Sequence, residues 1–350
     1  MSAAWIHGRR WDLTWLFGSA VVVPVGMLFV WAGASSDLMN LAVTALVGGP
    51  HLFSTFLTTY FDPRFRRSHG PALVAITLLV PAFVVWMALH HFPWLMSFFV
   101  LWASFHVVQQ NAYLADVYRR RSGHRDPVWS RLLDIGVLFL SFYPVATWKI
   151  VHDDFMLGPI RILMPPAFKN ELTPRLIAVA FGVVLLAWIV KTVAEQRRGA
   201  LQVPKTILIV VTTAIAFVVP CAGSGERLEL AFQTVNAWHS IQYLGIIWLV
   251  LALRKGRGEL DSPFVSRLAG PGRPVAAFYG LCFFFTASLL GVVYGVARLD
   301  PLGVSAPQYY YMGVLSALFI HYALDSWLFF AAGRDEARPD TIPLATPSRA

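Results

Sequence analysis

Residues 71–91 read PALVAITLLVPAFVVWMALHH, a stretch of 21 residues without one charged side chain. A helix needs about 20 mostly apolar residues to cross the hydrocarbon core of a bilayer. Similar runs recur along the chain, which is 57% apolar and only 13% charged, whereas soluble domains average about 25% charged residues. The sequence therefore predicts an all-α, polytopic integral membrane helix bundle.

Ten segments are long and apolar enough to be transmembrane helices. They are residues 13–33, 38–60, 71–91, 93–118, 127–149, 174–194, 204–221, 229–253, 274–297 and 309–332. We expect residues 1–333 to form a single transmembrane bundle and residues 334–350 to form a disordered cytoplasmic tail. The longest segment on the outer side, residues 150–173, is expected to cap that face.

The net charge of +9 raises the possibility of a nucleic-acid partner. With both termini in the cytoplasm, however, short clusters at helix ends place 22 of the 28 Lys and Arg residues on the cytoplasmic side. The remaining six are Lys149, Arg161, Lys169, Arg175, Arg227 and Arg298. Because cytoplasmic loops of membrane proteins are enriched in Lys and Arg, this distribution indicates an even number of helices. We therefore expect the lipid bilayer of a bacterial inner membrane, and no nucleic acid, as the partner.

Four histidines lie near the middle of predicted spans: His51, His106, His239 and His321. All four are on even-numbered helices, which on this topology run from outside to inside, and their depths agree to within about one turn of helix. An imidazole is costly at the bilayer centre and usually has a partner or a task there. Neutral imidazole binds iron, copper and zinc. We predict that the four hold a metal; scattered structural histidines or a proton path are the alternative.

Polar side chains near these histidines are placed on the same helix face by their spacing. Four of them are candidate catalytic or ligand-orienting groups: Gln110, Asn236, Tyr243 and Asp325. Asp325 lies four residues after His321 and is expected to orient it, because metal-bound imidazoles donate their second nitrogen to an acceptor. Ser54 and Thr55, which follow His51, are expected to bond their own backbone, as Ser and Thr in membrane helices commonly do.

The second predicted helix contains Gly48-Gly49-Pro50 directly before His51. Proline removes a backbone donor and disfavours helical geometry in the preceding residue, so we expect a kink or break at this point. Irregular backbone within a membrane is tolerated where it faces protein or a cavity. The break would open space for a substrate, although it is equally compatible with a packing role.

The segment NAWHSIQY, residues 236–243, resembles the Trp-His-Ser motif of the bacterial Brp/Blh β-carotene-cleaving dioxygenases. The resemblance rests on Trp238, His239 and Ser240. It implies a polytopic membrane enzyme whose iron is held by histidines from several helices, with His239 as one ligand. The other ligands, by analogy of depth only, would be His51, His106 and His321. This chain departs from the motif at Tyr243, where the family has a second His, so the two ligand sets differ.

Three functions are consistent with these features. The first is a non-haem iron oxygenase or oxidoreductase that uses O2 on a lipophilic substrate such as a carotenoid, another isoprenoid or an acyl lipid. Tyr243 would then be a hydrogen-bond donor or a redox-active phenol. The second is a haem-binding electron carrier or sensor, and copper is a further alternative to iron. The third is a metal- or proton-coupled transporter, although the scarcity of polar residues on the odd-numbered helices favours a fixed site.

Overall fold

The computed structural model describes residues 5–123, 126–268 and 275–330. Helices account for 82% of the structure. The strands β1 (Met156–Leu157) and β2 (Ile160–Arg161) form a short antiparallel pair. The all-α class predicted from the sequence is confirmed. The predicted tail, residues 334–350, lies outside the described residues.

The part of the chain that the structure describes contains eleven helices. They are α1 (Arg9–Trp31), α2 (Ser36–Thr58), α3 (Pro63–His90), α4 (Phe92–Arg121), α5 (Val128–Val151), α6 (Leu172–Arg197), α7 (Val203–Cys221), α8 (Glu226–Gly256), α9 (Pro263–Leu268), α10 (Val275–Leu299) and α11 (Ala306–Phe330). Within the described ranges, nine of them, α1 to α8 and α10, are long and apolar enough to cross a membrane. The tenth predicted span, 309–332, corresponds to α11, and its last two residues lie outside the described ranges.

The chain forms two compact units. In its described part, the first unit consists of residues 5–39 and 96–238, and the second of residues 40–95 and 239–330. The first unit therefore contains α1, α5, α6, α7 and most of α4. The second contains α3, α9, α10, α11, most of α2 and the part of α8 that begins at His239. The single bundle expected for residues 1–333 stays a prediction.

In the first unit, a buried ionic cluster joins α5, α6 and α7. Asp134 on α5 accepts hydrogen bonds from Lys191 and, at 2.8 Å, from the indole N–H of Trp188, both on α6. Lys205 Nζ on α7 lies 2.9 Å from the other carboxylate oxygen. Burial of a charge is costly unless the charge is paired. The buried charge of Asp134 is therefore accounted for by its partners on α6 and α7.

Residues 150–173, the segment predicted to lie on the outer side, form hydrogen bonds with other residues of the first unit. Asp154 accepts from Lys149 Nζ at 2.8 Å and from the backbone N–H of Gly225 at 3.1 Å. Further along, the N–H of Gly158 donates to Glu229 of α8 at 2.5 Å. The hydrogen bond from Lys149 lowers the pKa of Asp154 below its ordinary value.

The lowered pKa of Asp154 predicts how this attachment depends on pH. A carboxyl group whose pKa is lower in the folded state stabilises that state above its ordinary pKa, and the stabilisation is lost as pH falls through the lowered value. The amide proton of Gly225 reports on this titration by NMR, and its midpoint should lie below 3.8, the ordinary value for Asp. In an Asp154→Asn control the transition should vanish. A midpoint at or above the ordinary value would contradict the ion pair.

In the second unit, α3 and α11 pack through buried apolar side chains. The cluster consists of Phe65, Leu73, Ile320 and Leu324, which are 0–7% exposed. Between membrane helices, such contacts stabilise through van der Waals packing, because lipid is as apolar as these side chains. Because Ile320 and Leu324 are the sequence neighbours of His321 and Asp325, this packing fixes the face of α11 that carries those polar groups.

The predicted break before His51 is a local change of helix type. Residues Thr44–Gly48 form a π-helical turn, and the α-helical segment Gly49–Thr58 follows without interruption. Pro50 has no N–H for the carbonyl of Leu46, four residues earlier. The carbonyl of Leu46 accepts from the hydroxyl of Tyr279 on α10 at 2.5 Å. A side-chain donor thus supports the helix next to the proline.

Gly49 allows α10 to approach this turn closely. A Cβ atom added at Gly49 would lie 2.2 Å from Cγ2 and 2.6 Å from Oγ1 of Thr286. Only a residue without a side chain fits at that distance.

Gly49→Ala should therefore lower the stability of the protein in detergent by about 1–3 kcal/mol, the usual cost of overpacking. Thermal unfolding followed by circular dichroism measures this. Gly291→Ala on α10 is the matched control, since no atom lies within 4 Å of its added Cβ. An equal loss of stability in both variants would show that the contact with Thr286 is not the cause.

Candidate functional site

Three of the four predicted histidines converge in the second unit. The ring centroid of His51, on α2, lies 4.8 Å from that of His239, on α8, and 4.5 Å from that of His321, on α11. Both pairs meet edge to face, at interplanar angles of 87° and 89°. Each of the three residues is at most 2% exposed. The matched depths in the sequence thus correspond to lateral convergence of these imidazoles.

Tyr243 lies one helical turn after His239 and joins the same group. Its ring centroid is 4.5 Å from that of His51 and 5.4 Å from that of His321. The residue is fully buried. Two residues of α8 at i and i+4 therefore contribute to one site, as their spacing predicts.

Thr55 of α2 is the centre of a hydrogen-bond network that ties these helices together. Its Oγ1 lies 2.6 Å from Tyr243 Oη and 2.7 Å from His321 Nδ1, and it donates to Asp325 Oδ1 at 3.1 Å. The hydroxyl of Tyr243 donates to the same carboxylate oxygen at 2.5 Å. Thr55, Tyr243 and Asp325 are all 0% exposed. The two hydroxyl donors offset part of the cost of burying the carboxylate.

The position of Thr55 corrects one expectation. Ser54 does bond its own backbone, because its Oγ donates to the carbonyl of His51 at 2.6 Å. The same expectation for Thr55 is wrong, because its hydroxyl contacts His321 and Asp325. Oδ1 of Asp325 lies 3.6 Å from Nδ1 of His321 and the Thr55 hydroxyl contacts both atoms, and the orienting role expected of Asp325 stays a prediction. One feature of the sequence could have indicated a role for Thr55 in the site: it lies four residues after His51 and therefore on the same helix face.

His51 is held by the residue that follows His239. Ser240 Oγ lies 3.2 Å from His51 Nδ1 and is fully buried. The sequence singled out Ser240 only as part of the Trp-His-Ser segment, and its contact with α2 could not be read from that segment. In both His51 and His321, Nδ1 thus contacts a hydroxyl group. Coordination of a metal by either ring would therefore use Nε2.

The other predicted site residues belong to the first unit. His106 and Gln110 lie on α4 and are buried, at 1% and 0% exposure. Asn236, on α8, is half-buried and donates to Gln233 Oε1 at 3.2 Å. The roles predicted for His106, Gln110 and Asn236 stay predictions.

The second unit offers donor atoms that suit a transition metal. His51, His321 and Asp325 each present one ligand atom, and these atoms lie within 4.8 Å of one another. Ligand bonds from imidazole and carboxylate are about 2.0–2.2 Å long, so two ligands of one ion lie up to about 4.4 Å apart. These ligand atoms would need to approach one another by only a few tenths of an ångström to bind the same ion. With the ring of His239 against His51, the donor set is rich in imidazole, which binds iron, copper, zinc and nickel.

The chain matches no protein-family model, no curated protein and no solved structure. The resemblance of residues 236–243 to the Brp/Blh dioxygenases therefore stays a prediction from the sequence.

The bond between Tyr243 and Asp325 predicts a measurable coupling. An intramolecular hydrogen bond typically contributes about 0.5–1.5 kcal/mol, and this one is fully buried. A double-mutant cycle of Tyr243→Phe and Asp325→Asn, measured by unfolding in detergent, should give a coupling energy in that range. Strictly additive effects of the two substitutions would show that the bond does not contribute.

Proposed function

We propose that this protein is an integral membrane oxygenase or oxidoreductase, which holds a non-haem iron through histidines and acts on a lipophilic substrate. Carotenoids, other isoprenoids and acyl lipids are the substrate classes considered. The observation that carries the proposal is the burial of His51, His239 and His321 together with Tyr243 and Asp325. Polar groups gathered in an apolar interior generally serve a site.

The surface of the long helices supports a membrane location. On α6 five aliphatic side chains at helical spacing are each 59–64% exposed: Leu176, Val179, Val183, Leu186 and Val190. Soluble proteins rarely expose a continuous apolar stripe of this kind, whereas lipid solvates it. The distribution of Lys and Arg supports cytoplasmic termini, and we place the protein in a bacterial inner membrane.

The imidazoles of His51, His239 and His321 would hold the metal, with His106 as the fourth ligand predicted by the sequence. Asp325 has a supporting role, because its Oδ1 already accepts from Tyr243 and Thr55. Iron is proposed among the metals that imidazole binds because the Trp-His-Ser resemblance implies it.

A bound iron would supply the activation of O2. The chain's own residues would keep water out, since no side chain of the group exceeds 2% exposure. Tyr243 holds its hydroxyl proton towards Asp325, close to the imidazoles. A dry site with a positioned proton suits both an apolar substrate and the control of reactive oxygen species.

The haem alternative is less compatible with the geometry. Two axial imidazoles of a haem lie on opposite faces of the macrocycle, with the iron and the ring plane between them. The rings of His51 and His321 are in edge contact at 4.5 Å, and those of His51 and His239 at 4.8 Å. A planar macrocycle does not fit within either pair.

A transporter would need polar groups arranged along a path. The buried charges of α5, α6 and α7 are instead paired with one another, as in the cluster of Asp134, Lys191 and Lys205. This observation favours a fixed site over a path.

Metal analysis and the visible spectrum of the purified full-length protein test the proposal together. We expect about one iron atom per chain and no Soret band. A Soret band, or protein without a transition metal, would refute the non-haem iron site.

Replacement of His239 or His321 by Ala should remove the iron, because each ring supplies one ligand. The matched control is the double variant His90→Ala/His91→Ala, which deletes two exposed imidazoles at the end of α3. The control should keep the iron. Full metal retention in every single variant of His51, His239 and His321 would contradict a shared site.

A further inference from the structure

We propose that Thr55 is a positioning residue that fixes the tautomer of His321, so that Nδ1 carries the proton and Nε2 is the metal-binding nitrogen. The metal role rests on the function proposed above. The tautomer is a property of the chain itself and can be measured without a metal. Ser54, the neighbouring hydroxyl, has no such role because it donates to the carbonyl of His51.

The proposal follows from the number of protons available around Thr55. Its hydroxyl carries a single proton, yet its oxygen lies within 3.1 Å of three polar atoms: Tyr243 Oη, His321 Nδ1 and Asp325 Oδ1. The phenolic proton of Tyr243 is directed to Asp325. The Thr55 proton can therefore satisfy only one of its three neighbours.

Two of the three placements of that proton require a protonated Nδ1 on His321. When Thr55 donates to Tyr243 or to Asp325, its oxygen must accept the proton of the imidazole 2.7 Å away. The second of these is the hydrogen bond to Asp325 described above, and it gives a continuous chain in which His321 donates to Thr55 and Thr55 donates to Asp325.

The third placement directs the Thr55 proton to Nδ1. The lone pairs of Thr55 would then face the carboxylate of Asp325 at 3.1 Å and the phenolic oxygen at 2.6 Å, so two oxygen–oxygen contacts would have no proton between them, whereas each of the other placements leaves only one. In a fully buried site, such oxygen–oxygen contacts are repulsive and unscreened. The geometry therefore favours the Nδ1–H form of His321.

This tautomer links the buried carboxylate to a candidate ligand. Metal-binding imidazoles commonly donate their second N–H to a carboxylate or carbonyl, which fixes the ring and makes the ligand nitrogen more basic. Here Oδ1 of Asp325 is 3.6 Å from Nδ1, so the Thr55 hydroxyl acts as the intermediate. Loss of such a supporting group typically weakens metal binding about 10–100-fold.

The test uses full-length protein labelled with 15N-histidine in lipid nanodiscs, without metal. Protonated and unprotonated imidazole nitrogens have separate 15N shifts, and a His321→Gln variant identifies the signals of His321. We expect a protonated Nδ1 in the wild type, in Thr55→Ser and in the matched control Ser54→Ala. Thr55→Val keeps the volume of the side chain but removes the hydroxyl, and should lose this preference. The same Nδ1–H form in Thr55→Val, or an Nε2–H form in the wild type, would overturn the proposal.

Iron affinity, measured by competition with a chelator, tests the metal role separately. Thr55→Val should bind iron about 10–100-fold more weakly, while Thr55→Ser and Ser54→Ala keep wild-type affinity. Equal affinity in Thr55→Val and wild type would overturn the metal role of Thr55. Wild-type protein that binds no iron would overturn the proposed function and that role together, and the tautomer measurement would still decide whether Thr55 positions the ring.

Discussion

A polar group in an apolar helix bundle is stable only where another protein group meets it, because neither lipid nor packed hydrocarbon can supply a hydrogen bond. This requirement governs the second unit. The carboxylate of Asp325 is held by two hydroxyl groups that come from α2 and α8. Asp325, the buried acid on α11, thereby determines which faces of α2, α8 and α11 pack together. In the same unit, the hydroxyl of Tyr279 bonds the carbonyl of Leu46, one turn before Pro50.

Much of this arrangement could be predicted from the sequence, because it depends on composition and helical period. The long apolar segments predicted where the helices lie. The spacing of four residues between His239 and Tyr243 predicted that both lie on one helix face. The partners across helices could not be predicted in the same way. Thr55 has the sequence context of an ordinary membrane threonine, and only the packing of α2 against α8 and α11 brings its hydroxyl to three polar atoms. The hydrogen bond from Tyr279 to the π-helical turn before Gly49 likewise joins residues more than two hundred positions apart.

The chemistry of the site follows from its composition and dryness. His51 is in ring contact with His239 and with His321, so three imidazoles offer nitrogen donors, and the nearby phenol and carboxyl group offer a proton and an acceptor oxygen. Water is excluded by the same packing that fixes the rings. A first-row transition metal would complete such a group, and an apolar substrate would reach it most easily from the lipid. We therefore propose that several histidines bind one metal ion.

X-ray absorption spectroscopy at the iron edge of the full-length protein tests this claim most directly. We predict nitrogen and oxygen ligands and the multiple-scattering pattern of at least three imidazoles. We predict neither a sulfur ligand nor a porphyrin. A porphyrin pattern, a sulfur shell, or iron bound through oxygen alone would contradict a site built from His51, His239 and His321.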